Sequence, residues 1–319
     1  MKLITEQQMP SKIFDQALVL TGPTGSGKSS IAHRMGLEFP IEIISMDSMA
    51  VYRGLDIGTA KPTPAEQREV RYHLIDCLEA NQSASVAWWL HQAELAVENI
   101  LSRQHLPLIV GGTPLYLKAI LYGLFQNLEI DPAIRLSLEK QSCEVLSSQL
   151  QQVDPIAAKR IHKNDHKRLV RALEVYQQTG QTLSSLQVQF NRSQIHRKYP
   201  IVCVDIPRNV LYERINHRVG KMMQMGWLDE VYHLPENISK VASQAAGYKE
   251  LLEYKQRGGK LPEIVDAIKT RTRQLAKRQL TWFRQLPGIL WLAPEQAEKE
   301  LVHQISSIMA VSRSADPPL

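Results

Sequence analysis

The chain has 319 residues, of which 44% are hydrophobic and 22% are charged, and its formal net charge is +6. That composition is ordinary for a globular protein of one or two domains, and no apolar run is long enough to cross a membrane. Residues 1–16 lack the apolar segment of a secretory signal, and three isolated cysteines have the spacing of neither a disulfide framework nor a zinc site. We therefore expect a cytoplasmic protein without membrane contact.

The charged residues are unevenly distributed along the chain. Residues 1–122 hold ten Lys and Arg against twelve Asp and Glu, whereas residues 123–198 hold eleven against seven and residues 199–319 hold seventeen against thirteen. The positive excess therefore lies in the last two-thirds of the chain. This asymmetry favours a polyanionic partner, although lysines that serve only solubility would produce the same sum.

A glycine-rich loop follows the apolar run Ala17-Leu18-Val19-Leu20 and precedes a segment with helical spacing. Its sequence is Gly22-Pro23-Thr24-Gly25-Ser26-Gly27-Lys28-Ser29, and it has the spacing of a phosphate-binding loop. Glycines let backbone amides approach phosphate oxygens, Lys28 can neutralise a terminal phosphate, and the Ser29 hydroxyl can ligate Mg²⁺. The loop predicts that the chain binds a polyphosphate without indicating which one.

Apolar runs and helical spacings alternate in the rest of residues 1–122. Strands are predicted at Ile41–Ser45, His73–Asp76 and Leu106–Val110, and helices at Ser83–Ser102 and Leu115–Leu121. This alternation indicates a parallel, doubly wound sheet, in which ligands bind beyond the carboxyl ends of the strands. Asp47 and Thr113 each follow a predicted strand, so we expect them at the same edge of the sheet as the phosphate loop.

The strand pattern stops between residues 123 and 198. Asp131-Pro132, Asp154-Pro155 and Asn164 or Asp165 are predicted to begin helices, and Gly180 to end one. A strand is then predicted at 199–205, helices at about 208–224, 243–257 and 262–285, and a last strand at 289–292. The sequence therefore predicts an α/β fold, with a P-loop-type doubly wound parallel sheet core from residues 1–122 and 199–319 and an inserted all-helical subdomain at 123–198.

Two predicted helices carry basic residues on one side. Arg214 and Arg218 are four residues apart, a spacing that is unfavourable for like charges unless an anion lies between them; a solvated face is the alternative. The helix from Pro262 carries a basic stripe and a separate apolar stripe that should pack on the core, and no acid lies between Lys269 and Gln285. This pattern favours nucleic-acid contact over a solvated face. The basic stripe consists of Lys269, Arg273, Lys277 and Arg284, and the apolar stripe of Ile268, Leu275 and Trp282.

Asp47 has three possible roles in this pattern. It could be a carboxylate beside the Mg²⁺ of a nucleotide hydrolase, a cap for the turn that follows it, or a general base next to the bound phosphate. The pattern of residues leaves these alternatives open.

Several stretches together resemble the tRNA dimethylallyltransferase family, in the order that this family has them. They lie between residues 22 and 284, and include the phosphate loop, Asp47-Ser48, Gly54-Leu55-Asp56-Ile57-Gly58-Thr59-Ala60-Lys61-Pro62, Val110-Gly111-Gly112-Thr113, Arg171-Ala172-Leu173-Glu174-Val175, Gly247-Tyr248-Lys249-Glu250 and Ala276-Lys277-Arg278-Gln279-Leu280-Thr281-Trp282-Phe283-Arg284. The chain departs from the family's pattern at Gly25, at Met49-Ala50 and at Gln244, where the family often has Ala, Arg-Gln and Arg.

The resemblance implies transfer of a dimethylallyl group from dimethylallyl diphosphate to the exocyclic amine of an adenosine. That adenosine lies 3′-adjacent to the anticodon of tRNAs that read codons beginning with U. In such a reaction the phosphate loop holds the diphosphate together with Mg²⁺, and it does not hydrolyse ATP. The partners implied are the tRNA anticodon stem-loop and dimethylallyl diphosphate, and we expect a monomer.

The resemblance also implies roles for individual residues. Asp47, Thr113 and Arg218 are expected to be catalytic, and Ser29 to ligate the metal. Diphosphate binding is expected from Gly22, Pro23, Thr24, Gly25, Ser26, Gly27, Lys28, Ser29 and Arg214. Contacts with tRNA are expected from Asp47, Ser48, Met49, Ala50, Thr113, Arg135, Lys167, Arg168, Arg171, Gln244, Gly247, Tyr248, Lys277, Arg278, Gln279, Trp282 and Arg284.

Three other functions compete with this interpretation. A P-loop kinase or NTPase would use the same loop, but no second strand ends in a clear Mg²⁺-binding acid other than Asp47. An isopentenyltransferase acting on free adenine nucleotides would leave the basic stripe and the helical insertion without a purpose. A non-catalytic RNA-binding module would not explain the phosphate loop.

Overall fold

The computed structural model describes residues 11–124, 131–187 and 197–314. In this part of the chain six parallel strands form one sheet, in the order β3-β2-β4-β1-β5-β6. The strands are β1 (Leu18–Thr21), β2 (Ile41–Ser45), β3 (Tyr72–His73), β4 (Leu106–Gly111), β5 (Ile201–Val204) and β6 (Ile289–Leu292). The α/β fold with a parallel sheet is thus confirmed.

Fourteen α-helices accompany the sheet in the described residues. Before the insertion these are α1 (Lys28–Glu38), α2 (Pro64–Glu69), α3 (Val86–Ser102) and α4 (Pro114–Tyr122). The insertion contains α5 (Pro132–Glu139), α6 (Cys143–Val153), α7 (Pro155–Arg160), α8 (His166–Thr179) and α9 (Leu183–Leu186). After it come α10 (Arg208–Gln224), α11 (Trp227–His233), α12 (Tyr248–Arg257), α13 (Leu261–Phe283) and α14 (Pro294–Ser314).

The chain divides into two compact units. One comprises residues 11–120 and 195–319 and contains the sheet, and the other comprises residues 1–10 and 121–194 and contains the inserted helices. Among the described residues, none of the helices combines the length and apolar character that a membrane span needs.

Helices pack on both faces of the sheet because successive strand side chains point to opposite faces. On one face Leu20, Ile43 and Val110 pack in a core with Met35 of α1 and Leu301 of α14. On the other face the buried Trp89 of α3 donates its indole N–H to the carbonyl of Ser45 at 3.0 Å. The candidate site lies at the edge of the sheet at which the strands end.

A cluster of charged side chains around Glu42 lies at the opposite edge of the sheet, where the strands begin. Glu42 on β2 has a side chain that is 3% exposed, and it accepts two hydrogen bonds from Arg103, at 3.0 and 2.7 Å. His73 on β3 lies 2.7 Å from the same carboxylate. Burial by itself raises the pKa of Glu42, but the hydrogen bonds from Arg103 and His73 and their charges lower it to about 2. The buried carboxylate therefore remains ionised.

Three of the inserted helices, α5, α7 and α8, begin where the sequence predicted, and no start was predicted for α6 or α9. Asp131, Asp154 and Asp165 each accept a hydrogen bond from a backbone N–H of the helix that follows, at 2.8, 2.9 and 3.2 Å. Gly180 ends α8 with a φ of 71°, as expected for a left-handed C-terminal glycine. These helices share their own apolar core, which includes Leu146, Leu150, Leu169 and Leu173.

Two predicted elements differ from the structure. The strand predicted at His73–Asp76 is the two-residue β3, because Leu74 and Asp76 have φ values of 60° and 53°, which end the extended conformation. The helix predicted at about 243–257 begins only at Tyr248. It is preceded by a 3₁₀ turn at Ala242–Gln244, and Gly247 has a φ of 88°, which no right-handed helix accommodates.

Candidate active site

The phosphate loop connects β1 to α1 at the edge where the strands end. The ammonium of Lys28 donates to the carbonyl of Pro23 at 3.3 Å, and the N–H of Ser26 donates to the same carbonyl at 3.2 Å. The first amides of α1 have no acceptor within the helix, so this end attracts an anion. The hydroxyl of Ser26 is buried and makes no hydrogen bond in the described part of the chain. The loop therefore has the donors that a phosphate group needs.

The ends of β2 and β4 approach each other closely beside the loop. The N–H of Met46 donates to the carbonyl of Val110 at 2.7 Å. A Cβ atom on Gly111 would lie 2.1 Å from the carbonyl oxygen of Met46, so only glycine fits there. The hydroxyl of Thr21 donates to the carbonyl of Gly111 at 2.8 Å. These contacts set the spacing between the residues that follow β2 and β4.

Asp47 and Thr113 lie directly after these two strand ends. The Oδ1 atom of Asp47 accepts a hydrogen bond from the N–H of Met49 at 2.8 Å, so the carboxylate caps its own turn. The hydroxyl oxygen of Thr113 accepts a hydrogen bond from the N–H of Ser48 at 3.2 Å. Thr113 therefore orients the turn that carries Asp47 through the backbone.

Helix α10 brings two arginines to the loop. Arg214 lies so that its Nη1 atom is 3.7 Å from the position of a Cβ on Gly27. Burial and the nearby charge of Arg218 lower the pKa of Lys28 to about 8, and the charge of Asp47 opposes this effect. Burial likewise lowers the pKa of Arg218, whereas the charge of Asp47 raises it. Two cations and one carboxylate thus share a space into which an anion would fit.

Lys28, Asp47 and Arg218 line one cavity of about 610 Å³ in the unit that contains the sheet, whereas Arg214 lies outside its lining. This is a size typical of small-molecule sites. Its polar lining includes Lys28, Ser29, Asp47, Thr113 and Arg218, and its apolar lining includes Ile215, Val219, Met222, Trp227 and Leu275. A cavity with both kinds of wall can hold a ligand with a charged head and an apolar tail.

Lys61 fixes a loop that forms part of this cavity and was not among the predicted site residues. Its side chain is 3% exposed, and its ammonium donates to Asp56 at 2.6 Å, to Asp76 at 2.5 Å and to the carbonyl of Tyr52 at 2.5 Å. Three acceptors compensate the buried charge. The sequence marked Lys61 only as part of a resemblance motif, because its partners come from three separate positions.

Glu230 on α11 holds the same loop from the other side and was also missed. It accepts hydrogen bonds from the N–H groups of Asp56 and Ile57, at 3.1 and 2.7 Å, and from the hydroxyl of Tyr248 at 2.5 Å. Burial and the charge of Glu230 raise the pKa of Tyr248. The sequence gives no signal for this role, because Glu230 lies one turn into α11, a helix that was not predicted.

The structure shows a structural role for Gly247 and Tyr248, while their contact with RNA stays a prediction. Tyr248 is fully buried. Its ring lies edge-on to Trp227, with the centroids 5.5 Å apart. A Cβ on Gly247 would lie 1.9 Å from the ring of Trp227, so this glycine lets the aromatic side chain approach the backbone. Neither residue offers an exposed side chain to a large partner.

The other predicted tRNA contacts of this unit lie in or near the cavity or on the surface of α13. Ser48, Met49, Ala50, Gln244, Arg278 and Gln279 line the cavity, and Ala50 and Gln279 are buried. Lys277 and Arg284 are exposed. Trp282 is half-buried, and the ammonium of Lys118 lies 5.9 Å from the centre of its ring.

The predicted stripes of α13 require correction. The fully buried positions are Ile268, Ala276, Gln279 and Phe283, whereas Leu275 and Trp282 are only half-buried. In the basic stripe, Lys269 pairs with Asp266 at 2.9 Å and Arg273 donates to Asn216 at 2.5 Å. The period of 3.6 residues, not the heptad spacing, selects the core face. The exposed basic surface is therefore shorter than predicted.

The predicted tRNA contacts of the insertion lie within its own unit. Arg135 and Arg171 both pair with the buried Glu174, and Arg168 pairs with Asp165 at 3.4 Å. Lys167 is exposed. The carboxylate of Glu174 fixes the two arginines in position, although 51% of the Arg135 side chain remains exposed.

The residues of the cavity fit a magnesium ion that is coordinated mainly by the phosphate oxygens of a bound substrate. No cluster of three or more His, Cys, Asp or Glu side chains in the described ranges could hold a metal by itself. Mg²⁺ usually keeps few protein ligands and binds substrate phosphates and water. The hydroxyl of Ser29, at the start of α1, lies in the same cavity as Lys28 and provides the hard oxygen that this arrangement needs.

Comparisons with known proteins identify the family of this chain. The family model described as IPP transferase matches residues 50–286. A tRNA dimethylallyltransferase 1 of Trichlorobacter lovleyi is 41% identical over 292 residues, which are 88% of this chain and 95% of that protein. A tRNA dimethylallyltransferase of Carboxydothermus hydrogenoformans is 41% identical over 284 residues, or 87% of this chain and 91% of that protein.

Solved structures give the same result. The tRNA isopentenylpyrophosphate transferase of Bacillus halodurans superposes with a TM-score of 0.66 at 31% identity, covering 94% of this chain and 99% of that one. A eukaryotic dimethylallyltransferase acting on tRNA superposes with a TM-score of 0.74 at 26% identity, covering 94% of this chain and 80% of that one. The chain therefore belongs to the IPP transferase family.

Proposed function

We propose that this chain transfers a dimethylallyl group from dimethylallyl diphosphate to the exocyclic amine of the adenosine 3′-adjacent to the anticodon, in tRNAs that read codons beginning with U. The observation that carries this proposal is that one cavity is lined by Thr24, Lys28 and Ser29 of the phosphate loop together with Asp47 and Arg218. It has a cationic end for a diphosphate, a carboxylate for a proton and apolar walls for an isoprenoid.

The cationic end would bind the diphosphate and stabilise it as it leaves. During transfer the bond between the first carbon of the dimethylallyl group and the diphosphate oxygen breaks, and its electron pair leaves with diphosphate. Lys28 and Arg218 line the cavity and would stabilise that charge, together with the amides of the loop. Arg214, near Gly27, adds a positive charge at the outer side.

Asp47 would act as the general base. The exocyclic amine of adenine is a poor nucleophile, so its proton must be removed as the new carbon–nitrogen bond forms. The carboxylate of Asp47 accepts that proton, and Thr113 holds the turn that aims it. General-base catalysis of this kind contributes roughly 10²–10⁴ in rate.

The tRNA would present its adenosine to the cavity outside the base stack. A base stacked in an anticodon loop cannot reach an enclosed carboxylate, so it must be flipped out. Exposed Lys277 and Arg284 on α13 are available for phosphate contacts outside the cavity. The hydroxyl of Ser29 would hold Mg²⁺ at this end of the cavity, where the ion would supply further positive charge.

An assay with radiolabelled dimethylallyl diphosphate tests this proposal. The protein is incubated with Mg²⁺ and either tRNA or AMP as acceptor, and the label is followed into each. Labelling of tRNA at the adenosine next to the anticodon is expected. Labelling of AMP instead would favour the enzyme class that acts on free nucleotides, and turnover of ATP without either product would favour a P-loop NTPase.

A further inference from the structure

The side chain of Gln279 joins two parts of the candidate site that are far apart in sequence. Its Oε1 atom accepts a hydrogen bond from the N–H of Thr24 in the phosphate loop at 2.9 Å. Its Nε2 atom donates to the carbonyl of Gly112 at 2.6 Å, and Gly112 directly precedes Thr113. Gln279 is 8% exposed, and its bond to Gly112 is buried while its bond to Thr24 is partly buried. The diphosphate cradle and the end of β4 are therefore connected through one amide.

The partners of Gln279 require both functions of its amide. A backbone N–H can only donate and a carbonyl can only accept, so the orientation of the amide is fixed by Thr24 and Gly112. Glycine at position 112 lets this amide approach the backbone, since a Cβ on Gly112 would lie 2.7 Å from the Nε2 atom of Gln279 and 3.1 Å from the carbonyl oxygen of Gly22. The bridge thus has a defined length and direction.

The helix that carries Gln279 also carries exposed bases on either side of it. Lys277 and Arg278 precede Gln279, and both are exposed, while Gln279 points inward. The family resemblance groups Gln279 with the contacts to RNA. Its two hydrogen bonds to other parts of the chain indicate another role.

We propose that Gln279 is a positioning residue for the transfer reaction, which fixes the diphosphate cradle relative to the strand end that carries Thr113. The inference rests on the proposed function of this site. Thr113 orients the turn of Asp47, so the bridge sets the distance between the leaving group and the general base. Misplacement by about 1 Å can cost on the order of 10²-fold in rate, since the reacting atoms must be aligned.

Two substitutions test this inference against a matched control. Gln279→Met keeps the length and apolar stem but removes both hydrogen bonds, and Gln279→Asn keeps the amide but is too short to reach both partners. Gln285→Leu, on an exposed glutamine just beyond the same helix, is the control. Circular dichroism and thermal midpoints establish that each variant is folded. Gln279→Asn serves if Gln279→Met does not fold.

Three quantities are measured on the full chain with Mg²⁺: the affinity for inorganic diphosphate by calorimetry, the affinity for tRNA, and the single-turnover rate with both substrates saturating. Because a lost bridge leaves buried polar groups unpaired, we expect the single-turnover rate of both Gln279 variants to fall at least about tenfold. Their affinity for diphosphate should weaken, and their affinity for tRNA should stay within about threefold of wild type. Gln285→Leu should match wild type in all three.

Two results would overturn the inference. If the Gln279 variants lose tRNA affinity while diphosphate binding and the saturated rate are retained, Gln279 is an RNA contact. If all three quantities are unchanged, the bridge has no role in the reaction. Failure of the wild-type protein to bind diphosphate or to label tRNA would instead reject the proposed function, so the two failures are distinguishable.

Discussion

The ionisation of Lys28 should control the binding of dimethylallyl diphosphate above neutral pH. Burial and the charge of Arg218 lower the pKa of Lys28 to about 8 in the free protein. The diphosphate binds the ammonium form, which is complete below this pKa and is lost above it. With a pKa of about 8, roughly nine-tenths of the free protein carries the charge at pH 7 and roughly one-tenth at pH 9. The affinity should therefore fall by about tenfold between these values.

Lys28→Met isolates this effect, because it removes the charge and keeps an unbranched side chain. Affinity for dimethylallyl diphosphate is measured by calorimetry from pH 7 to pH 9, at constant Mg²⁺ and without tRNA, in wild type and in the variant. The last ionisation of a phosphate ester lies near pH 6, and any remaining titration of the ligand affects both proteins equally. The ratio of the two affinities should fall about tenfold across the range.

A ratio that stays constant within about twofold would refute this reasoning. It would mean either that Lys28 keeps its charge to pH 9, or that its ammonium does not contact the diphosphate. Binding that is equally weak in the two proteins at pH 7 would reject the contact itself.

Three further predictions follow from other parts of the structure. Replacing Lys277 and Arg284 together by Ala should weaken tRNA binding and reduce the slope of log affinity against log salt by about 1 to 2; an unchanged slope would show that these exposed bases face only solvent. The contribution of Glu42 to the free energy of unfolding is complete above the pKa that this group has in the unfolded chain, and it is lost as the pH falls towards 2. The difference in this free energy between wild type and Glu42→Gln, measured by urea unfolding, should therefore shrink by roughly 2 kcal/mol between pH 6 and pH 3. Gly247→Ala should lower the thermal midpoint strongly, since its methyl group would collide with Trp227 at a φ of 88°; a midpoint within about 2 °C of wild type would contradict this packing.

The elements that sequence patterns predicted best are those with strong periodicity or a cap. Helix α10 and strand β2 have the predicted bounds, and Asp131 and Asp154 begin helices as their Asp-Pro pairs indicated. In these cases local preference and tertiary packing agree. The position of the site could also be predicted, because parallel strands bring their carboxyl ends together at one edge of the sheet.

Residues that bridge distant segments could not be predicted in this way. Gln279 was grouped with its exposed neighbours on α13, although its partners Thr24 and Gly112 lie more than 160 residues away in sequence. Lys61 and Glu230 hold one loop through acceptors and donors that only the folded chain brings together. Spacing along a helix indicates which face a residue occupies, but it does not indicate the partner it meets.

The role of Asp47 is tested most directly by the single-turnover rate of Asp47→Asn at saturating tRNA and dimethylallyl diphosphate, measured across a series of Mg²⁺ concentrations. Asparagine keeps the size of the side chain and its acceptor for the N–H of Met49, but it cannot take a proton. Both substrates should bind within a few-fold of wild type, and the rate should fall by roughly 10²-fold or more at every Mg²⁺ concentration. A rate within about threefold of wild type, or a rate restored by added Mg²⁺, would contradict the assignment of Asp47 as the general base.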